Sequence, residues 1–507
     1  MHESLPADEA VSPHRPWSAL RRRCTLDVRS LAVFRIALGL LLVADAALRS
    51  RDVPLMFAAD GIFPPRLIRG FFAADPTQWS LALLRDETWW GAAVLGLEGV
   101  AGACLAVGWR TAAATAVAWV AQVSVYRRTI PAANAGDMLL SCLLLWSCFL
   151  PLGAVWSLDA RRRDARAGRP QAAGVCGPAT AALLFQVMAV YVGAGLAKWN
   201  ASWLDGTALR YALSVHDHGT PLGMRLAAAD WLMPPLTWGV LGGEIVAPLV
   251  FIAWPAARPL IALGFVLLHV AIWLTMSVGL FAPIGIAAWL PLLPGSLWPG
   301  SASRLAATVS ADCSSRLARA ACIVLAALAA VAFLHDRTAW RERPLPAPMR
   351  QAIQAASLAQ PWSMFDTVPP LEQWAYGRAE LADGRVVDLL RGGRPLETER
   401  PAGGFTSLPH HRWHKLLWIL PRPRVRPFAP SVAAALARDW NARHDADAQV
   451  VSLEIRFAQR NLAASDAPLH DMLVGAWPDR DAAGTGNLDR LLDARSDAAG
   501  RDRPSEP

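Results

Sequence analysis

Up to about Leu334 the chain is a succession of apolar runs, each about the length of a membrane crossing, separated by polar stretches rich in arginine. Such a run satisfies its own backbone in hydrocarbon only as a helix. The runs fall at about 31–48, 89–107, 110–126, 137–157, 177–198, 232–254, 258–276 and 317–334, with a shorter Pro- and Trp-rich segment at 279–294. They predict an all-α polytopic membrane bundle of about 8–9 transmembrane helices. The remaining sequence is polar and predicts a small C-terminal α+β soluble domain. Apolar residues make up 54% of the chain, and the mean hydropathy is +0.28, which excludes a soluble enzyme.

Four segments follow. Residues 1–30 are polar and basic (Arg21, Arg22, Arg23, Arg29) and read as a cytoplasmic N-terminal segment. No small-residue cleavage site follows the first run; Asp45, Arg49 and Arg51 come instead, so the run is expected to be a retained span and not a signal peptide. Residues 31–335 form the membrane domain. The densest basic loop, with Arg161, Arg162, Arg163, Arg166 and Arg169, is expected on the cytoplasmic side. An odd number of crossings then puts the α+β domain, 340–462, outside a bacterial inner membrane. Residues 463–507 are rich in Asp, Arg, Ala and Gly and are expected to be largely disordered.

The net charge of +8 comes mostly from arginines in loops and tails. That suits a lipid bilayer surface, and no interleaving of basic and aromatic residues points to nucleic acid. The seven cysteines show no paired metal-ligand spacing and indicate no disulfide framework.

In the α+β domain, 374–390 reads as a hairpin turning at Asp383-Gly384, and 448–459 alternates like a strand. Residues 408–420 and 430–444 read as helices. The first contains His410, His411 and His414. Arg412 and Trp413 occupy the place where a metalloprotease helix would carry its carboxylate, so no metal is expected and the helix reads as a basic, aromatic surface element. The external His216 and His218 are equally weak as a metal signal.

One residue type stands out. Of the 49 Lys plus Arg, only Lys198 and Lys415 are lysine. Lys198 sits at the expected outer end of the fifth run, in AGLAKWNASWLDG (Ala194 to Gly206). A desolvated lysine can lose its proton and act as a base, whereas arginine cannot. The alternative is an interfacial lysine beside an aromatic belt. Asp45, Asp137 and His269 also fall near the outer ends of their runs; Arg35, Glu98 and Glu244 lie deeper. Such residues pair with one another or line a polar cavity. They predict either an acid–base set around one outward-facing pocket or a group of structural ion pairs.

Several stretches together resemble one family. They are FRIALGLLLVADAALRSRD (Phe34 to Asp52), DGIFP (Asp60 to Pro64), NAGDMLLSCLLLWSCFLPLG (Asn134 to Gly153), AGLAKWNASWLDG and HVAIWLTMSVGLFAP (His269 to Pro283). The family is that of the horizontally transferred transmembrane (HTTM) domain, which includes vitamin K-dependent γ-glutamyl carboxylase. The resemblance covers roughly residues 28 to 335, and QPWSMFDTVPP (Gln360 to Pro370) looks like the soluble extension of bacterial members. It implies that Lys198 is the base that deprotonates a quinol and that Trp203 is the motif's tryptophan. The cofactor implied is reduced vitamin K or another isoprenoid quinone, used with O2 and CO2 in a lyase-type carboxylation. Asn134, Asp137, His269, Glu244, Arg35 and Asp45 are expected around the substrate or cofactor pocket. The match departs at Ala197, where the carboxylase has a second lysine. It departs again after Asn134, where the carboxylase has a histidine. The expected function is therefore carboxylase/epoxidase-like. The alternatives are a non-catalytic assembly or maturation factor whose outer domain binds a peptide or protein client, and thirdly a transporter.

Overall fold

The computed structural model describes residues 21–478, apart from 74–76, 168–170, 215–217, 299–304, 314, 402 and 464–467. His216 and all but the first part of the expected tail lie outside the described residues. Six helices are long and apolar enough to cross a membrane. They are α1 (Val28–Ser50), α2 (Thr88–Val107), α5 (Pro178–Ala197), α6 (Met233–Ala253), α7 (Arg258–Thr275, led in by a turn at Pro255–Ala257) and α9 (Arg316–Arg337). Between them stand α3 (Thr111–Arg128), α4 (Ala135–Ser147) and α8 (Phe281–Trp289).

Of the 8–9 spans expected, six are found by length and composition among the described residues. Helix α3 carries Gln122, Arg127 and Arg128, and α4 and α8 are short. The apolar run read over 137–157 ends as helix at Ser147, because Pro151 and Gly153 turn the chain. Lipid exposure divides the bundle. Most of α5 is buried, whereas α6, α7 and α9 show most of their surface outward, as lipid-facing helices do.

A three-stranded sheet that the sequence did not suggest closes one end. Strand β1 (Leu26–Asp27) pairs antiparallel with β2 (Gln171–Cys176), which pairs parallel with β3 (Leu305–Ala311). Each strand leads into the start of a span, respectively α1, α5 and α9, so these three helices enter from the same face. Asp312 reinforces the arrangement: its carboxylate accepts from the N–H groups of Ala179 and Thr180 at the start of α5.

The C-terminal domain stands on the opposite face. Helix α10 (Ala347–Ala355) leads to a five-stranded sheet in the order β6-β5-β4-β7-β8, with α11 (His411–Ile419) and α12 (Ala429–Asn441) packed on it. Strands β4 (Leu371–Leu381) and β5 (Val386–Asp388) form the expected hairpin, and β7 (Val450–Asn461) is the expected strand. Strand β6 is Arg394–Pro395. The edge strand β8 (His470–Trp477) lies beyond Leu462, in sequence whose composition gave no strand signal.

The main core of the domain is shared with the rest of the chain. Phe57, Ile62, Phe63, Ile68 and Phe72, from the loop after α1, share one apolar cluster with Phe405, Leu416, Leu417, Phe428 and Ile455. Phe63 meets Phe428 edge to face, with ring centroids 6.0 Å apart. Arg128, buried at the end of α3, fixes that loop by donating to the carbonyls of Phe63 (2.6 Å) and Phe57 (3.0 Å). The C-terminal domain and the bundle are therefore one packing unit.

Candidate active site

Lys198 ends α5. Its N–H bonds back to the carbonyls of Ala194 and Gly195, and its side chain is 3% exposed. Its Nζ donates to Glu244 Oε2 at 2.7 Å, approaches the Ala194 carbonyl at 3.5 Å and lies 5.2 Å from the Trp203 ring centroid. Gly195 makes the pair possible. A Cβ there would stand 2.6 Å from Ile245 Cγ1, so only glycine lets α6 come close enough to bring Glu244 to the amine. The helix C-terminus favours the ammonium form, while burial disfavours holding two separated charges.

The site is covered from beyond the last span. Trp203 Nε1 donates to the Phe365 carbonyl at 2.9 Å, and Asn200 Nδ2 donates to the Asp366 carbonyl at 2.7 Å. Upstream of these residues the same segment enters the bundle. Leu358, Gln360 and Trp362 are buried there. Gln186 on α5 donates to Gln360 Oε1 (2.9 Å), which also accepts from Trp362 Nε1 (2.5 Å). The QPWSMF stretch is thus a structural part of the membrane domain.

Two turns earlier on the same face of α5, Tyr191 joins His269 of α7 and Trp289 of α8. The Trp289 indole donates to the phenol oxygen at 2.7 Å, and that oxygen lies 2.7 Å from His269 Nε2. With the indole as donor, the phenol hydrogen points to Nε2. This leaves the neutral imidazole's own hydrogen on Nδ1. Nδ1 is buried and has no partner among the described residues. Phe265 stacks on Trp289 at 4.5 Å. Gly285 lies against the histidine, where a Cβ would come within 2.1 Å of the ring.

A second polar centre sits between α1, α4 and α11. Arg49 donates to Asp45 (2.7 Å) and Asp137 (2.6 Å), and to Thr129 Oγ1 at 2.9 Å. Arg412, from the C-terminal domain, donates to Asp45 (2.6 Å) and to both oxygens of Asp137 (3.0 and 3.1 Å). Two carboxylates and two guanidiniums so close a buried ring. Asn134 orients it through a capping box with Asp137 at the start of α4. Beside the ring, His410 Nε2 lies 2.5 Å from Asp52 Oδ2, and Trp413 Nε1 donates to Asp52 Oδ1 at 3.3 Å. Burial and the adjacent Arg412 guanidinium push the His411 imidazole down to about 3.

This corrects the reading of the HHRWH helix as a surface element. Arg412, Trp413 and His414 are buried, and α11 is the plug that docks the C-terminal domain. Among the described residues no group of three or more His, Cys, Asp or Glu is placed to hold a metal. The residues expected around one pocket are divided. Lys198, Glu244 and Trp203 meet directly, and His269 belongs to the next cluster along α5. Asp45, Asp137 and Asn134 belong to the ring. Arg35 stands apart, donating to the carbonyls of Leu105 (3.2 Å) and Trp156 (2.6 Å). Sequence reasoning missed Arg49 and Arg412 as partners of the acids. The spacing of Asp45 and Arg49, four apart on one helix, was an available signal for the first; nothing local marks the second.

Comparison with known proteins matches residues 79–297 to the HTTM domain, a narrower stretch than the resemblance noted from the sequence. No curated protein and no solved structure matches the chain. The matched region holds Lys198, Trp203, Glu244, Tyr191, His269 and Trp289, so the site lies in the part of this integral membrane protein that is similar to the HTTM domain.

Proposed function

We propose that the chain is a membrane enzyme related to the vitamin K-dependent carboxylase/epoxidase, taking a reduced isoprenoid quinone, with Lys198 as the base. The observation that carries this reading is the buried Lys198–Glu244 pair covered by Trp203. When the shared proton sits on the amine, the amine cannot accept another. When it sits on Glu244, both groups are neutral and the amine is a base. Burial narrows the gap between the two arrangements, because the charged one must desolvate both groups.

The residues present suit a quinol. The amine takes a hydroxyl proton, the Trp203 indole flanks an aromatic ring, and the exposed Leu196 and Trp199 face outward, where an isoprenoid tail would run. Bound there and oxygenated, the quinol would supply the strong base needed to remove a γ-proton from a peptide glutamate ahead of CO2 addition. The chain's own part is to accept the first proton at Lys198 Nζ, hold the pair's other proton on Glu244 and keep water out with Trp203 and the Phe365–Asp366 backbone. The peptide or protein client would approach from the outer-domain face.

The test is quinol oxidation and epoxide formation by the purified full chain with a reduced naphthoquinone and oxygen, read by mass spectrometry. Wild type is expected to form epoxide and Lys198→Arg none, since arginine keeps the charge but cannot act as a base. If folded wild type makes none, the quinone reading fails, and an assembly factor with a client-binding outer domain takes its place.

A further inference from the structure

The ring of Asp45, Arg49, Asp137 and Arg412 is formally neutral, two charges of each sign, and every carboxylate oxygen in it that faces a guanidinium is used. A fifth ionisable group is buried on α2, which packs along α1. Glu98 on α2 is fully buried, and neither of its carboxyl oxygens has a hydrogen-bond partner among the described residues. The groups whose charges bear on it come from three other elements: Asp45 and Arg49 from α1, Asp137 from α4 and Arg412 from α11. The charges of Asp45 and Asp137 repel a further carboxylate.

An ionised carboxylate with no donor, buried beside an already balanced ring, pays the desolvation cost without an ion-pair return. A neutral carboxyl avoids that cost. The cleft of about 320 Å³ between α1 and α2 is lined by Ala46, Ser50, Val53, Ala92, Leu95 and Gly96, and not by Glu98, whose carboxyl is buried. A proton needs no cavity.

We propose that Glu98 is a proton-binding site of the membrane domain, coupled through Asp45 and Asp137 to the docking of the outer domain by Arg412. With Arg412 in place the five groups are neutral when Glu98 holds one proton. Withdrawing Arg412 leaves Asp45 and Asp137 against Arg49 alone, a net charge of −1 in a buried site, and the cluster then takes up a second proton from solvent. Undocking of the outer domain is in this way tied to proton uptake. The proposal stands apart from the quinol chemistry, since it involves neither Lys198 nor Glu244.

The experiment is infrared spectroscopy of the full chain in lipid at neutral pH, in H2O and after exchange into D2O, which resolves the C=O stretch of protonated carboxyls. Wild type is expected to show a protonated-carboxyl band that shifts on deuteration and is lost in Glu98→Gln. In Arg412→Gln a second such band appears, and it is removed again in Arg412→Gln/Asp137→Asn. A wild-type spectrum without a protonated-carboxyl band, or one that Glu98→Gln leaves unchanged, overturns the site; a band removed by Glu244→Gln belongs to the Lys198 pair. A single band in Arg412→Gln overturns the coupling. Because absence of the band from wild type overturns the site by itself, the proposal stays falsifiable where a variant fails to fold.

Discussion

Replacing Arg412 with methionine keeps most of the side-chain volume and removes the charge that the outer domain inserts between Asp45 and Asp137. Three hydrogen bonds to two buried carboxylates go with it, at 2.6, 3.0 and 3.1 Å. Breaking a buried ion pair by removing one partner costs about 3–5 kcal/mol, because the other partner is left uncompensated. Since about 1.4 kcal/mol is tenfold in an equilibrium, the docked state should lose roughly a hundred- to several-thousand-fold in population. Trp413, Leu416 and Leu417 stay buried on the same helix, so the loss should be felt as local opening of α11 and not as general unfolding. Hydrogen exchange of the His411–Ile419 amides reads that opening directly. Adding Asp137→Asn to Arg412→Met restores neutrality and should recover a substantial part of the loss, a non-additivity expected only of groups in one network. A change in protection worth less than about 1 kcal/mol, the scale of an exposed pair, would refute the reasoning. So would strictly additive effects of the two substitutions.

Three further outcomes follow from the same geometry. Glu244→Gln keeps a hydrogen-bonding group near Lys198 but cannot hold a proton; quinol turnover should fall by roughly 10²–10⁴-fold, the usual worth of a proton-transfer group, with KM for the quinol little changed. Gly195→Val puts side-chain atoms where a Cβ already lies 2.6 Å from Ile245, at a cost of about 1–3 kcal/mol, and should abolish turnover in protein that still folds, as steady-state assay and circular dichroism together would show. The docking of α11 should also weaken in acid. His411 is held neutral when docked, with its pKa near 3, and takes up a proton when released, so between about pH 6.5 and pH 3 the released state binds more protons and docking strengthens as pH rises. His411 should therefore lower amide protection in α11 by up to about 1.4 kcal/mol per pH unit on acidification, and His411→Gln should remove that part of the dependence, leaving the part due to the acidic cluster.

Much of the bundle was legible because hydrocarbon imposes one rule on the backbone, and the apolar runs report it residue by residue. The six long spans, the hairpin turning at Asp383-Gly384 and the strand at Val450–Asn461 all rest on local pattern. The short helices α4 and α8 were harder to bound, since an apolar run does not say where Pro151 turns the chain within it. Strand β8 and the three-stranded sheet depend on pairing between segments far apart in sequence, so composition carried no trace of them. Lys198 stood out by type, and its partner Glu244 was among the expected residues. That the pair forms depends on Gly195, whose role appears only when α5 and α6 are side by side. Arg412 was hidden most completely. In sequence it is one arginine of 47 in an amphipathic helix, and its partners lie 275 and 367 residues away.

The central claim is that Lys198 receives a proton from a lipid quinol. The scarcity of lysine makes it directly observable: a chain labelled with 15Nζ-lysine has two signals, from Lys198 and Lys415, and Lys415→Arg assigns them. The measurement is the Nζ resonance of Lys198 in lipid, without oxygen, before and after adding a reduced naphthoquinone. A change in the protonation state of Lys198 on quinol binding, with the Lys415 signal unmoved, is the result predicted. A Lys198 resonance indifferent to the quinol, under conditions where turnover begins once oxygen is admitted, would contradict it.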